Sequence, residues 1–252
     1  MKLNLIVAAA IVIAAPVTAA AEPTDLTIRV ISEGGKFVGT SMGGAEIIVR
    51  DVRSGEVLAR GRTAGSTGDT ARIMAGGARG TAVADEASAA FKARIDIAEP
   101  KLVEVEAYGP LAQPQAAVRI TAQRWIVPGR PATLGDGWVL ELPGLVVDLV
   151  EPAASQRAAA GTSIRLAANI ALMCGCPIEP GGLWDAARYD VRAEVRRDGQ
   201  RAGEVRLSYG GRTGYFTGAF SAEKAGAHVV TVTAVDTKTG ATGVDATTII
   251  IP

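Results

Sequence analysis

Both cysteines of this 252-residue chain lie within three positions of each other, at Cys174 and Cys176, directly after Met173. The stretch from Leu172 to Asp185, which we call the cysteine segment, also holds two prolines, three glycines and one of the three tryptophans. Thiolate and thioether sulfurs are soft ligands that favour Cu(I), whereas two thiols in an oxidising compartment pair as a disulfide. The candidate chemistry of the chain is therefore concentrated in one short segment.

Four arrangements of these sulfurs are open: a structural disulfide, a redox-active disulfide, a soft-metal site and pairing with another chain. In an extended strand, residues two apart lie near the upper Cα–Cα limit of about 6.8 Å that a disulfide accepts, so the chain must bend, and Gly175 permits the bend. So small a ring gains little loop entropy, and a strained pair would suit redox chemistry. A soft-metal site with Met173, Cys174 and Cys176 as ligands is the third, although strand alternation would turn Met173 away from Cys174. We expect a structural Cys174–Cys176 disulfide and no cofactor, with copper as the alternative, and pairing with another chain also stays open.

The remaining composition argues against several other kinds of site. The chain has one histidine, His228, and 26 basic against 26 acidic residues. One histidine cannot build a multi-histidine zinc site within one chain, and a formal charge of zero offers no field for nucleic acid. Gly39–Gly43 matches the G-x-S-x-G pattern of hydrolases, but a strand rather than a helix is expected after it. We expect His228 at the edge of a sheet face, no catalytic residue and no enzymatic activity.

A long Gly/Ala-rich stretch from Thr63 to Ala90, which we call the long loop, separates two strand patterns. Within it, Gly65–Thr70 is rich in small hydroxyl residues but lacks the Gly-Lys-Ser/Thr ending and the following helix of a phosphate-binding loop. We expect a polar loop there, at most one helical turn over residues 82–90, and the apolar Ile73 and Met74 packed on the same chain or on a partner.

The beginning of the chain has the layout of a secretory signal peptide. A short positive start precedes an apolar run from Leu5 to Ala15, and small residues follow at Ala19–Ala21. The run is shorter than the roughly 20 residues that span a bilayer, and no later stretch approaches that length. We expect residues 1–21 to be removed and the mature chain, without a transmembrane segment, to be periplasmic or secreted.

Alternation of polar and apolar residues with period two recurs along the rest of the chain and predicts an all-β fold. A stretch without periodicity, residues 151–162, contains a proline and small residues and predicts a linker. The expected architecture is therefore two tandem antiparallel β-sandwiches, residues 22–150 and residues 163–252. The expected strands are Leu26–Val30, Ile47–Val52, Val57–Arg60, Phe91–Ile97, Leu102–Tyr108, Ala116–Val127, Trp138–Leu142, Leu145–Leu149, Ile164–Leu172, Tyr189–Arg196, Glu204–Tyr209, Tyr215–Phe220, His228–Val235 and Thr247–Ile251.

Two pairs of strand patterns carry a family resemblance. Gly44–Asp51 followed by Ser54–Thr63 resembles the opening hairpin of transthyretin-like or carboxypeptidase-regulatory-like domains. Tyr189–Val195 and Ala225–Asp236 resemble strands of bacterial immunoglobulin-like modules. The resemblance implies an exported protein in which a transthyretin-like domain precedes an immunoglobulin-like domain, and such modules bind, space or display.

These features predict a non-enzymatic exported protein that acts as a binding, structural or assembly module. Its expected partner is another exported or envelope protein, with no nucleic acid involved. The expected contact surfaces are exposed strand edges, the long loop and residues 174–188. The alternative is a periplasmic Cu(I)-binding or redox protein that uses Met173, Cys174 and Cys176.

Overall fold

The structure, a computed structural model, describes residues 20–76 and 81–252. The described part contains 17 strands and one short α-helix, which confirms the predicted all-β sandwich fold. The apolar run of the predicted signal peptide lies outside the described residues. No helix in the described part of the chain is long and apolar enough to cross a membrane.

The first half of the described chain forms a sandwich of two sheets. Its strands are β1 (Glu22–Ser32), β2 (Glu46–Asp51), β3 (Val57–Arg62), β4 (Phe91–Ile97), β5 (Lys101–Gly109), β6 (Val118–Ile126) and β7 (Trp138–Leu142). One sheet has the order β4-β1-β7 and the other the order β3-β2-β5-β6. Alternation directs the packing, as in β5, where Val103 and Val105 are fully buried while Glu104 and Glu106 are only half-buried.

The second half forms a continuous sheet that curls over its own core. Its strands are β8 (Leu145–Glu151), β9 (Gln156–Arg157), β10 (Ser163–Leu172), β11 (Ile178–Glu179), β12 (Trp184–Asp185), β13 (Tyr189–Arg197), β14 (Gln200–Tyr209), β15 (Tyr215–Ser221), β16 (Gly226–Asp236) and β17 (Thr242–Ile251). The order in the large sheet is β8-β10-β15-β14-β13-β16-β17-β9, and β11 and β12 form a separate pair. The curl brings β8 against β17, where the Leu149 amide donates to the Asp245 carboxylate over 2.8 Å.

The strand pairing corrects the expected boundary between the halves. The strand expected to end the first sandwich, Leu145–Leu149, belongs to β8, which pairs with β10 in the second sheet. Only Pro143 and Gly144 therefore separate the last strand of the first half from the first strand of the second. The expected linker, residues 151–162, instead contributes β9 to the edge of the second sheet, where it pairs with β17. Proline and small residues mark an edge and a turn here as readily as a linker.

The sheets are also not purely antiparallel. β1 pairs with β7 in parallel, β17 pairs with β9 in parallel, and so does β11 with β12. All the other strand pairs found in the described residues are antiparallel, as expected.

The long loop runs between β3 and β4 as expected, but its internal structure differs from the prediction. A short helix, α1 (Thr70–Ala75), follows Asp69, whose side chain caps it by accepting from the Arg72 amide at 2.7 Å. Residues 82–90 contain no helical turn. Ile73 packs on the chain itself in a small core with Phe37 and Ala89, whereas Met74 is 38% exposed.

Arg29 holds the end of the long loop against the first sandwich through hydrogen bonds. Its guanidinium is buried and donates to the carbonyl oxygens of Ser88 and Ala89, the latter at 2.9 Å. The Asp136 carboxylate accepts from the Val83 and Ala84 amides at 3.0 and 2.7 Å. The described part of the long loop is therefore held by specific polar contacts at several points.

A buried ion pair predicts how the stability of the first sandwich depends on pH. The Lys101 ammonium and the Arg53 amide, at 2.5 and 2.9 Å, hold the pKa of Asp51 at about 2, below its usual 3.8. A carboxyl whose pKa is lower in the folded state stabilises the fold above its unfolded pKa, and that contribution disappears as the pH falls from about 4 to about 2. We therefore expect the stability difference between the native protein and Asp51→Asn, measured by urea unfolding, to shrink over this range. Asp198→Asn, at an exposed turn, is the control, and a difference that stays constant down to pH 2 would contradict the assignment.

Candidate functional site

The cysteine segment begins with a tight turn at the end of β10. The Gly175 amide donates to the Leu172 carbonyl over 2.8 Å, and Gly175 adopts a positive φ of 72°. This bend brings the Cα atoms of Cys174 and Cys176 to 5.4 Å, inside the range that a disulfide accepts, and places their sulfur atoms in bonding contact. The two side chains are only 1% and 3% exposed.

Met173 and the two cysteines face different cores. Cys174 and Cys176 pack in the core of the second half, with Ile178 and Trp184. Met173, 2% exposed, packs in the core of the first half. The structure therefore does not bring the three predicted metal ligands together around one point, and the arrangement gives no support to the copper alternative.

Close approach of the two halves depends on two glycines, each of which lies opposite a sulfur atom of the other half. A Cβ atom on Gly35 would lie 2.9 Å from the Cys174 sulfur and 2.9 Å from a Leu172 methyl carbon. A Cβ atom on Gly175 would lie 2.6 Å from the Met42 sulfur. Real Cβ atoms do not approach other atoms so closely, so glycine at both positions allows the surfaces to meet.

We call this contact between the two halves the joint. It is formed by Gly34, Gly35 and Met42 of the first half and by residues 172–176 and Trp184 of the second, and polar contacts complete it. The indole N–H of Trp184, which is 4% exposed, donates to the Gly34 carbonyl over 2.9 Å. The Lys36 amide donates weakly to the Cys174 sulfur over 3.4 Å. Beside them, the Glu33 carboxylate accepts a hydrogen bond from the Gly144 amide at 3.1 Å. The turn after β1 is therefore bonded both to the cysteine segment and to the two-residue connector.

The chain after the cysteine segment is fixed to the second sheet by a buried ion pair. Arg188 donates to the Asp236 carboxylate over 2.5 Å, and the Thr237 amide donates to the Arg188 carbonyl over 3.0 Å. Burial, together with the nearby Asp236 carboxylate, raises the pKa of Tyr189 to about 12. The Tyr189 phenol therefore keeps its proton near neutral pH and cannot act there as a phenolate base.

The other predicted motifs are separate from one another in the fold. Gly39–Gly43 contains a 3₁₀ turn, Thr40–Met42, that a glycine in the left-handed region closes, and it belongs to the joint. His228 lies on β16 between β13 and β17, so the expectation of a sheet-edge position was wrong; it is 2% exposed. Eight residues of extended chain, about 26 Å, separate it from Asp236 beside the joint. The structure therefore does not place His228 beside Ser41 as a hydrolase would require.

An open, mostly apolar groove of about 550 Å³ runs beside the joint. Residues 115–118 of the first half form one side, and residues 233–235 and 242–244 of the second half form the other. Pro143, Leu145 and Met173 complete its lining. The groove exists because the two halves are held side by side.

Sequence reasoning found one side of the joint and missed the other. The cysteine segment stood out by composition, whereas Gly34 and Gly35 lie in a turn that carries no unusual pattern, and Met42 drew attention only as part of the Gly39–Gly43 motif. The Leu-Pro-Gly-Leu sequence between two predicted strands, residues 142–145, is the signal that locates the connector.

Comparison with known proteins gives solved structures of low sequence identity and low TM-score. No family model and no curated protein matches the chain. Among solved structures, an engineered protein is 20% identical over 47% of this chain and 22% of its own, with a TM-score of 0.33. Fibronectin(III)-like modules of Clostridium thermocellum CbhA are 13% identical over 82% and 78% of the two chains, with a TM-score of 0.28.

The titin domains z1z2, solved in complex with telethonin, are 11% identical over 92% of this chain and 89% of theirs, with a TM-score of 0.26. The chain thus spans about a fifth of the length of the engineered protein and most of the length of the other two. The titin and CbhA neighbours are immunoglobulin-like and fibronectin-III-like β-sandwiches of low identity. The finer resemblance to transthyretin-like domains stays a prediction.

Proposed function

We propose that this protein is an exported, non-enzymatic binding or structural module whose two β-sandwiches are held as one rigid unit. The joint around a Cys174–Cys176 disulfide fixes the angle between them. In the periplasm or outside the cell, the unit presents its loops and sheet edges to another exported or envelope protein.

The observation that carries this proposal is the burial of the two cysteines in the contact between the halves. Side chains that are 1% and 3% exposed are poorly placed to meet a redox partner or to exchange a metal. Their surroundings, Gly35 and Trp184, are packed as in a protein interior. The cysteine segment, which holds the most reactive residue types, therefore has a structural role and holds the two halves together.

Rigidity follows from the connection as well as from the joint. Because only Pro143 and Gly144 link the two sheets, the connector has little freedom. Gly144 has a positive φ of 93°, and a Cβ there would lie 2.7 Å from the Thr242 carbonyl oxygen. A short connector and a packed contact distinguish this arrangement from two sandwiches on a flexible tether.

The surfaces available to a partner are the exposed parts of the two long connecting segments. Met74 of the long loop is 38% exposed, and Leu183 in the cysteine segment is 52% exposed. The buried side chains of the cysteine segment, such as Cys176 and Ile178, are not accessible to a partner, whereas its outer turn, residues 179–183, is exposed.

The oxidation state and accessibility of Cys174 and Cys176 test the proposed structural role of the disulfide. Intact mass of the protein recovered from the envelope or medium should show loss of residues 1–21 and an oxidised cysteine pair. Iodoacetamide should not alkylate the native protein, even after mild reductant, and should add two groups once the protein is unfolded and reduced. Alkylation of the untreated native protein, or copper retained in native mass spectra, would contradict the proposal.

Site-specific photo-cross-linking in intact cells tests the binding role. A photoreactive residue at position 74 or 183 should form an adduct with an envelope protein. The control position is Val229, which is 43% exposed in the middle of the outer sheet face rather than on a loop. Failure of both loop positions to form an adduct, or equal adducts at all three positions, would overturn the proposed contact surfaces.

A further inference from the structure

A second candidate site lies at the end of the second half remote from the joint. The turn between β13 and β14, the end of β15 and the start of β16 enclose a cleft of about 330 Å³, which we call the distal cleft. Arg197, Arg201, Lys224 and His228 contribute to its lining. Neither the disulfide nor the connector takes part in this cleft.

His228 supplies a buried polar group to the distal cleft. Its Nδ1 lies 3.2 Å from the Gly226 carbonyl oxygen, and since a carbonyl only accepts, Nδ1 carries the proton. In the neutral ring Nε2 is then an acceptor, and no hydrogen bond to Nε2 is found among residues 20–76 and 81–252. A nearly buried acceptor of this kind favours a ligand that brings its own O–H donor.

The distal cleft itself is lined by more cationic than acidic side chains. Three cationic side chains face one acidic side chain, Glu223, whose carboxylate is directed towards the turn at Gly161. Arg197 is held in place by donating to the Ala225 carbonyl over 3.1 Å. Arg197 also lies 3.7 Å from the exposed Asp198 carboxylate, and Arg201 lies 3.9 Å from the Glu194 carboxylate. A concave site with cations and low-dielectric walls concentrates anions.

The rest of the lining suits a small polar ligand. Gln200 and Ser221 provide neutral hydrogen-bonding groups, and Phe220 provides an apolar wall. Arg201 is also paired with Glu204, but both side chains are substantially exposed, and pairs of this kind contribute little and exchange readily.

We propose that the distal cleft binds a small oxyanion that also carries an O–H group, as hydrogen phosphate and sugar acids do. Lys224 and the two arginines neutralise the anionic oxygens, and His228 accepts the ligand hydroxyl at Nε2. This inference stands apart from the proposed function, because it concerns the opposite end of the second half.

A titration with three anions tests the proposal. Inorganic phosphate, D-glucuronate and sulfate are added separately to the oxidised mature protein at about pH 7.5, and binding is followed by calorimetry and by amide chemical shifts. Sulfate has the charge of hydrogen phosphate without its hydroxyl, so at least one of the other two anions should bind about tenfold more tightly than sulfate. Preference for phosphate assigns a phosphoryl ligand, and preference for glucuronate assigns a sugar acid.

Matched lysine variants locate the binding. Lys224→Gln removes an exposed cation from the cleft and should weaken the preferred anion about tenfold, because a charge-assisted hydrogen bond is lost. Lys238→Gln changes an exposed lysine at the opposite end of β16 and should leave the affinity unchanged. His228→Gln should reduce the preference over sulfate if the variant folds. Equal effects of the two lysine variants, sulfate binding as tight as the best of the others, or no binding of any of the three anions would overturn the proposal.

Discussion

Replacing Trp184 with alanine is expected to lower the free energy of unfolding by about 3–5 kcal/mol. The side chain is 4% exposed in the core of the second half, and its indole N–H bonds to the Gly34 carbonyl of the first half. The substitution therefore leaves a cavity and removes a hydrogen bond that joins the two halves. Urea unfolding followed by circular dichroism measures the loss.

Two tryptophan variants separate the contributions. Trp184→Phe retains most of the apolar volume and loses the hydrogen bond, so it should cost less than Trp184→Ala. Trp125→Ala removes a side chain that is 54% exposed and should change stability by about 1 kcal/mol or less. If Trp184→Ala were no more destabilising than Trp125→Ala, Trp184 would not be a packed part of the joint.

Gly35→Ala is expected to destabilise the protein by about 1–3 kcal/mol through a single methyl group. The new Cβ atom would lie 2.9 Å from the Cys174 sulfur, 2.9 Å from a Leu172 methyl carbon and 3.1 Å from the Ser32 Cβ atom. Because the Cys174 sulfur and the Leu172 methyl carbon belong to the second half, the added methyl group presses the two halves apart. Scanning calorimetry should show the single transition of the native protein broaden or divide into two.

Gly182→Ala is the matched control for this variant. Gly182 is exposed in the same cysteine segment, and its nearest neighbour to a new Cβ atom is the Glu179 carbonyl oxygen at 3.3 Å. We expect a much smaller effect there. Equal melting behaviour of the Gly35 and Gly182 variants would show that the close approach at Gly35 contributes nothing to the joint.

The strands were predictable because alternation is a local property of the sequence. Phe91–Ile97 and Trp138–Leu142 have the same bounds in the structure as in the prediction, and most of the other strands differ at their ends. A short helix escaped prediction because its signals, Asp69 as a cap and few apolar positions, are weak for so short an element. Local patterns therefore gave the elements but not every boundary.

The joint was not predictable, because it depends on contacts between residues that are far apart in the chain. Lys36 meets Cys174 across 138 positions, and Trp184 meets Gly34 across 150. Composition alone drew attention to the cysteine segment, and alternation correctly argued that Met173 faces away from Cys174. The structure was needed to show that Cys174 enters the core of the second half and Met173 the core of the first.

The distal cleft also lay beyond sequence reasoning. His228 was visible as the single histidine, but its cationic neighbours come from three separate turns and strand ends. The antiparallel pairing of β13 with β16 places Arg197 opposite His228 and beside the turn that carries Lys224.

Residual dipolar couplings of the oxidised mature protein test the central claim most directly, because they report the relative orientation of the two halves in solution. Couplings from amides of residues 22–142 and of residues 145–252 should fit one common alignment tensor in the native protein. In Gly35→Ala they should require two tensors of different magnitude. Two different tensors in the native protein would show that the halves move independently and would contradict the account.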